Sequence, residues 1–378
     1  MQPVKVLFIL NSLAFGGAER QSIDLINKLN RNRFSIGLAY LDKIENLKPN
    51  IKEKNLFLCE CLERKGKIDF TILSKIKKII LAHDVQIIIC IEEYPLLYAS
   101  LYKLLFKQPV VINTVIHHVL YPPGLWEHIK KRLYKIIINK TDKVFFVCHN
   151  QAQYWQLNNG INKSISTVVY NGVNASFFAP NQIGLPERQL LQKSLSLSES
   201  DFIVGICARL DPIKCHIDFL NGLAQTKKAG VRIKGLIIGD GPERERIKTN
   251  IRLLDLMDDV IITGFVEDTR SYISICDCLT ITSHSEAFSI SALEAMAMAK
   301  PLVMTKIGGA EEQVNDGKTG FLYNVGDTKA LASHLIWLGT NPEKSHKMGN
   351  KARDFLLENF TLRKMAKSYE AQLLQFFN

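Results

Sequence analysis

Short apolar runs of strand length, each followed by an amphipathic stretch of helix length, recur along this chain of 378 residues. The runs at 4–10, 36–40, 86–91, 110–114 and 144–148 are almost wholly apolar. That is the pattern of parallel strands covered on both faces. Amphipathic stretches such as 17–29 and 71–83 lie between them. After Asn171 a second series begins, at 202–208, 234–238, 260–263, 278–282 and 301–305. Such alternation predicts doubly wound α/β sheets, and two series predict two domains. A strand at 166–170 and the turn Tyr-Asn-Gly-Val-Asn at 170–174 mark the joint. Segment 179–201 contains Pro, Gln and Ser and reads as a linker. In open sheets of this kind ligands bind at the carboxyl ends of strands, so a two-domain version places its site in the cleft between domains.

Composition narrows the class. With 47% hydrophobic residues the chain can bury sizeable cores. No apolar run approaches the ~18–20 residues of a membrane span. The N-terminus reads as a strand and a glycine turn, without the basic segment and cleavage site of a secretory signal. The eight Cys are scattered, which predicts reduced cytosolic thiols filling cores. Cys59/Cys61 and Cys276/Cys278 have C-x-C spacing but no neighbouring His or Cys to complete a zinc site, so no metal is expected. The net charge of +11 is one-sided. Residues 1–170 carry 24 Lys and Arg against 13 Asp and Glu, whereas the remainder carries 24 of each. A basic half suggests an anionic partner: lipid headgroups, a pyrophosphate carrier or nucleic acid.

The stretch 280–298, TITSHSEAFSISALEAMAM, carries the most chemistry. An apolar strand enters a polar turn, and a helix rich in Ala, Leu and Met starts near Ser289. Glu286 lies in the turn and Glu294 in the helix. A helix N-terminus suits an anion, whereas carboxylates beside it suit hydroxyls. Phosphate together with vicinal hydroxyls describes a nucleotide-linked sugar. In GICARLDPIKCH (205–216), Arg209 and Lys214 follow a strand and could clamp a diphosphate. In AFGGAER (14–20), Gly16 and Gly17 allow close approach of a phosphate; the spacing is not G-x-G-x-x-G, which disfavours NAD. Gly239 follows the strand in IIGDGPERERI, and Val266 lies in GFVEDT. Gly317-Lys318-Thr319 ends like a P-loop, but Glu312 stands where that motif needs Gly. His117 and His118 fall at a strand's carboxyl end. Segment 125–140 is a basic amphipathic stretch with Trp126, Lys130, Lys131, Arg132 and Tyr134, suited either to a core-packed helix or to a lipid interface.

Taken together these segments resemble the family-4 retaining glycosyltransferases. The matching elements are E-x7-E at Glu286 and Glu294, G-x-x-R-L-x-x-x-K at 205–214, the GGAER loop, and the segment TKIGGAEEQVNDGKTGFL at 305–322. Departures are Cys215 where the family has Gly, Glu311 where it has Pro, and Ala287 and Ser289 within the family's E-G-F-G. The resemblance implies the GT-B fold, two Rossmann-like domains facing across a cleft. It implies an acceptor-binding domain over 1–172 with the terminal helix 362–378, and a nucleotide-sugar-binding domain over 173–361. Carried over position by position, donor-binding residues are Gly16, Gly17, Arg209, Lys214, Gly239, Val266, Glu286, Ala287, Phe288, Ser289, Ile290 and Glu294. Catalytic positions are Glu286, Arg209, Lys214 and, on the acceptor side, His117 and His118.

The implied reaction is retaining transfer of a sugar from a UDP- or GDP-sugar to an acceptor hydroxyl, with no cofactor. No D-x-D triad occurs, so the diphosphate is expected to be held by cations and helix N-termini rather than a metal. The acceptor is expected to be a glycan or lipid-linked intermediate of the cell envelope. The protein is expected in the cytoplasm, with peripheral contact to the inner face of an anionic membrane. Two rivals stand beside this. One is a non-catalytic basic protein binding membrane or nucleic acid, the latter without any recognisable nucleic-acid motif. The other is a GT-B sugar-nucleotide enzyme of different chemistry.

Overall fold

A computed structural model describes residues 2–107, 109–117 and 125–377, with backbone alone over 125–131. The described residues form two compact units, Met1–Gly172 with Leu362–Asn378, and Val173–Thr361.

The first unit is built on seven parallel strands: β1 (Val4–Leu10), β2 (Phe34–Tyr40), β3 (Leu56–Cys61), β4 (Ile87–Ile91), β5 (Val111–Ile116), β6 (Lys143–Phe146) and β7 (Ser166–Val168). Their order is β3-β2-β1-β4-β5-β6-β7. β1 and β4 pair in parallel with Val6 opposite Ile87, although two strands and two α-helices separate them along the chain. Helices then leave β1 and β4 toward opposite sides, opening a crevice at the carboxyl ends of that pair. All five residues of β4, Ile-Ile-Ile-Cys-Ile, are buried, because helices cover both faces. One face packs on the Thr71–His83 and Glu93–Phe106 helices around Tyr98, Tyr102 and Trp155. The other packs on Gly17–Lys28 and on the C-terminal helix Leu362–Leu374, where the Phe145 and Tyr369 rings lie 4.8 Å apart. Truncating one such buried side chain to Ala costs about 2–5 kcal/mol.

The second unit holds β8 (Phe202–Cys207), β9 (Ile233–Ile238), β10 (Val260–Gly264), β11 (Cys278–Ile281), β12 (Leu302–Thr305) and β13 (Gly320–Tyr323), in the order β10-β9-β8-β11-β12-β13. All its pairs are parallel. Its switch point lies between β8 and β11, with Gly205 opposite Leu279. Both units are therefore Rossmann-like α/β layers, as the alternation predicts.

Several details differ from the sequence reading. Segment 179–201 is not a bare linker. It contains the helix Leu185–Ser194, which packs beside the helix Arg270–Ile275, with Ser271 Oγ donating to Glu187 Oε1 at 3.0 Å. That helix buries no residue fully, so its sequence lacks the apolar stripe that signals a helix. Strand β3 is an edge strand whose residues are mostly half-buried, and its apolar run is short, ending at Glu60. None of the eight Cys is in a disulfide; five are buried and Cys59, Cys61 and Cys215 half-buried. Among the described residues no helix is long and apolar enough to cross a membrane.

Candidate active site

At the β8–β11 switch point two loops meet. The first leaves β8 at Ala208 and passes Arg209, Leu210 and Asp211 into a single 3-10 turn, Pro212–Lys214. Cys215 then adopts a left-handed conformation (φ 50°, ψ 48°) and caps the helix His216–Lys228. Only glycine enters this region without cost, which explains why the resembling family carries Gly there. The second loop leaves β11 at Thr282 and reaches Ser289, which caps the helix Ile290–Ala297 by accepting from the Ala292 N–H at 3.3 Å. Thr282 Oγ1 donates to Lys214 O at 2.7 Å, and the His284 N–H donates to Ile213 O at 2.9 Å. These bonds bring Lys214 and Glu286 into direct contact as an ion pair, Nζ to Oε2. Ser283 Oγ also donates to Glu286 Oε2, at 3.3 Å.

The two cations read from 205–216 thus have different settings. Lys214 is three-quarters buried and engaged by Glu286, whereas the Arg209 side chain is 67% exposed and meets Asp211 Oδ2 at 3.2 Å. Both hold a carboxylate that an incoming diphosphate could replace.

Behind the Glu286 turn lies a rigid support. Gly308 has φ +49°, and a Cβ there would sit 1.9 Å from Glu286 O. The Gly309 N–H donates to Ala287 O at 2.8 Å. Buried Gln313 closes a two-way bridge to Ser289, accepting its N–H at 3.0 Å and donating to its carbonyl at 2.8 Å. The Gly308–Gly309 pair therefore shapes the Glu286 loop. Ser291 Oγ donates to Cys207 O at 2.7 Å and fixes the helix to the end of β8. Ala287 and Phe288 are buried, and Phe288 packs edge-on to Phe360, so these positions offer a ligand backbone rather than side chain. Ile290 is half-buried. Glu294 is buried at 4% exposure in the first turns of its helix. Gly239 has φ +150° and its missing Cβ leaves room for Ala208 O, which would be 2.1 Å away. This glycine lets the loop after β9 lie against the Arg209 loop. Val266 is half-buried in the loop after β10.

In the first unit, the β1–β4 switch point carries another cluster. Gly16 caps the helix Gly17–Lys28 in an extended conformation (φ −155°), so its φ does not require glycine; a Cβ would meet only the flexible Glu19 carboxylate. Burial raises the Glu19 pKa; a backbone hydrogen bond opposes the rise and the Glu92 charge adds to it. Glu92, directly after β4, has φ +69° and ψ −167°, a conformation that is strained for any residue but glycine. Its Oε1 accepts the His117 N–H at 3.0 Å. His117 also borders a cavity of about 10 Å³, together with Gln21, Ser22 and Asn171, enough for about one water. His118, and the side chains of Trp126, Lys130 and Lys131, lie outside the described residues. Glu92 was not singled out from sequence; the only local signal was a Glu immediately following an apolar run.

Family models now bear on this geometry. The model described as Glycosyl transferases group 1 matches residues 187–355, and that described as Glycosyltransferase Family 4 matches residues 15–177. The chain belongs to the family-4, group 1 glycosyltransferases. Among curated members of this family, N-acetyl-alpha-D-glucosaminyl L-malate synthase of Bacillus anthracis is 30% identical over 62% of the chain and 59% of its own length. D-inositol 3-phosphate glycosyltransferase of Mycobacterium tuberculosis is 26% identical over 60% of the chain and 48% of its own length. The chain thus spans about half of the curated relatives it matches. Among solved structures, a glycosyltransferase from Rickettsia africae superposes with a TM-score of 0.87 at 21% identity, covering all of both chains. HepE of Anabaena in complex with UDP superposes at 0.85 and 21% identity, over 98% of this chain and 100% of its own. Similarity at this level shows the fold, GT-B.

Proposed function

We propose that this family member is a retaining glycosyltransferase that moves a sugar from a nucleoside diphosphate to an acceptor hydroxyl. The observation that carries the reading is the Lys214–Glu286 pair at the switch point of the second sheet. A lysine held by a carboxylate can exchange that partner for a phosphate. The freed carboxylate can then accept hydrogen bonds from sugar hydroxyls. In this reading Lys214 and Arg209 hold the diphosphate, Glu286 orients the transferred sugar and Glu294 meets the ribose. The bond from the anomeric carbon to the diphosphate oxygen breaks. The acceptor oxygen bonds to the same face of that carbon, and its proton passes to a departing phosphate oxygen. Lys214 and Arg209 stabilise the leaving charge as it develops, so the diphosphate itself needs no metal.

A uridine donor is favoured over guanosine because HepE, of the same fold, has been crystallised with UDP and with UDP-glucose. The family likeness and the basic first half support a lipid-linked or membrane-proximal acceptor of the cell envelope. One surface adds to this. Leu104 and Leu105, at 68% and 59% exposure, lie near the end of the helix Glu93–Phe106, which packs beside Leu125–Ile138 with Leu133 and Ile136 exposed. Exposed Lys107, Arg132 and Lys135 accompany them. Such a surface suits reversible docking on the cytoplasmic face of an anionic membrane, each cation adding about 1 kcal/mol.

NMR of the first product formed from a panel of UDP- and GDP-sugars tests the reaction. Retention of the donor's anomeric configuration is expected, and an inverted product would overturn the mechanism. Glu294→Gln should weaken free nucleotide binding, and Glu286→Gln should chiefly lower turnover. Sedimentation with anionic but not neutral vesicles, reversed by salt, tests docking.

A further inference from the structure

We propose that Cys215, Asp218 and His284 form a binding site for a single divalent ion of the zinc class, beside the Lys214–Glu286 pair. One Cys sulfur, one carboxylate oxygen and one imidazole nitrogen from these residues lie within 4.8 Å of one another. Ligands around tetrahedral zinc stand about 3.3–3.8 Å apart, given bond lengths of about 2.0–2.3 Å. The difference is about an ångström, a distance that side-chain rotation can cover. The residues come from two loops already fastened to each other. Cys215 and Asp218 belong to the first turn of the helix His216–Lys228. His284 follows β11, and its N–H is fixed to Ile213 O.

Two further observations point to a ligand. Asp218 Oδ2 is buried without a hydrogen-bond donor among the described residues, with His284 Nε2 3.7 Å away. The Tyr323 hydroxyl, on a residue 4% exposed, is likewise unpartnered among the described residues; burial first, and then the charges of Asp218 and Cys215, oppose its ionisation. Buried polar atoms without partners are costly, and an ion with its bound water would satisfy them.

The donor set fits zinc. Thiolate and imidazole suit borderline-soft ions, whereas magnesium and calcium favour oxygen. The helix N-terminus opposes a cation with roughly half a positive charge, but a thiolate and a carboxylate supply two negative ones. The thiol now donates toward Pro212 O at 3.3 Å, and burial followed by the Asp218 charge pushes it up to about 11. Zinc must therefore displace its proton, so binding releases a proton and tightens with pH. His284 is half-exposed and leaves a path for entry. Because Cys215 adjoins Lys214 and His284 lies two residues before Glu286, a bound ion would staple together the two loops that carry the pair. Only this consequence for turnover rests on the transferase reading.

The test uses the full chain freed of metal with a chelator and titrated with cobalt(II), then with zinc. One equivalent of cobalt should bind and give a thiolate-to-cobalt charge-transfer band, which zinc should abolish. Cys215→Gly, which relieves the backbone strain and should fold at least as well, should lose the band. His284→Ala should weaken uptake at least about tenfold. Cys59→Ser should leave both signals unchanged. Absence of stoichiometric uptake, or a band that survives in Cys215→Gly, would overturn the site whether or not the protein transfers sugars.

Discussion

Each unit puts its chemistry at the same topological position, the carboxyl ends of the strand pair where the winding reverses, yet the two corners are built differently. In the second unit the corner is a neutralised pair, Lys214 with Glu286, on a scaffold of side-chain-to-backbone bonds from Thr282, Ser291 and Gln313. Two glycines, 239 and 308, sit where a Cβ would strike a carbonyl oxygen. In the first unit the corner pairs like with like. Burial, with the Glu92 charge adding to it, raises the cost of ionising Glu19, and Glu92 is held in a strained backbone. The difference teaches that a shared topology fixes where ligands can bind but not which charge they carry. An ion pair with an exchangeable partner suits a dianionic ligand. An acidic, partly desolvated cluster suits hydroxyls or a proton in transit.

The comparison breaks most readily at Lys214. Lys214→Ala should weaken UDP binding by about 1.5–3 kcal/mol while leaving uridine binding unchanged, because only a charge-assisted contact is lost. Calorimetry on both ligands reads this directly, and equal losses for UDP and uridine would reduce the pair to a structural salt bridge. Arg209→Ala should cost less, since its side chain is mostly in water.

Rigidity comes next. Gly308→Ala adds a Cβ against Glu286 O at a left-handed φ and should lower stability by about 2 kcal/mol. Gly16→Ala, extended and facing only a flexible carboxylate, should stay within about 0.5 kcal/mol. Comparable losses in denaturant melts would remove the contrast between the corners.

Strain at Glu92 is isolated by comparing two substitutions that both delete the carboxylate. Glu92→Gly should be more stable than Glu92→Ala by about 1 kcal/mol, the reverse of the usual order, because only glycine relaxes at φ +69°. The usual order would place the strain elsewhere.

Smallest is the proton at Glu19. Its carboxyl titrates above the ordinary 4.5 in the folded protein. The folded state therefore holds the proton more tightly than the unfolded chain, and stability declines as pH rises through the folded pKa. Glu19→Gln should be more stable than the parent at neutral pH and should lose that advantage below 4.5, where both states of the parent are protonated. Thermal melts across that range would show a constant offset if burial of Glu19 were not the cause.

Much of this was legible in the linear chain. The all-apolar run 87–91 and its counterparts disclose strands covered on both faces. Polar turns follow these strands, and Glu286, Glu294, Arg209 and Lys214 are visible as charged residues after strands of the second series. The helix 185–194 was not legible, because it leans on a neighbour without burying a continuous stripe. Edge strand β3 was hidden for a similar reason, being mostly half-buried.

Sequence by itself determined the two series of strands and helices, the loops that bear the charged residues, and the family, because these depend on spacing between near neighbours. Tertiary structure alone decided that Lys214 holds Glu286 across 72 residues, that Glu92 is strained beside His117, and that Cys215 and Asp218 meet His284. Those meetings depend on the register of β8 against β11 and of β4 against β1 and β5. Register between strands far apart in the chain is fixed only when their apolar residues pack together in the sheet, so neither loop's own sequence discloses its partner.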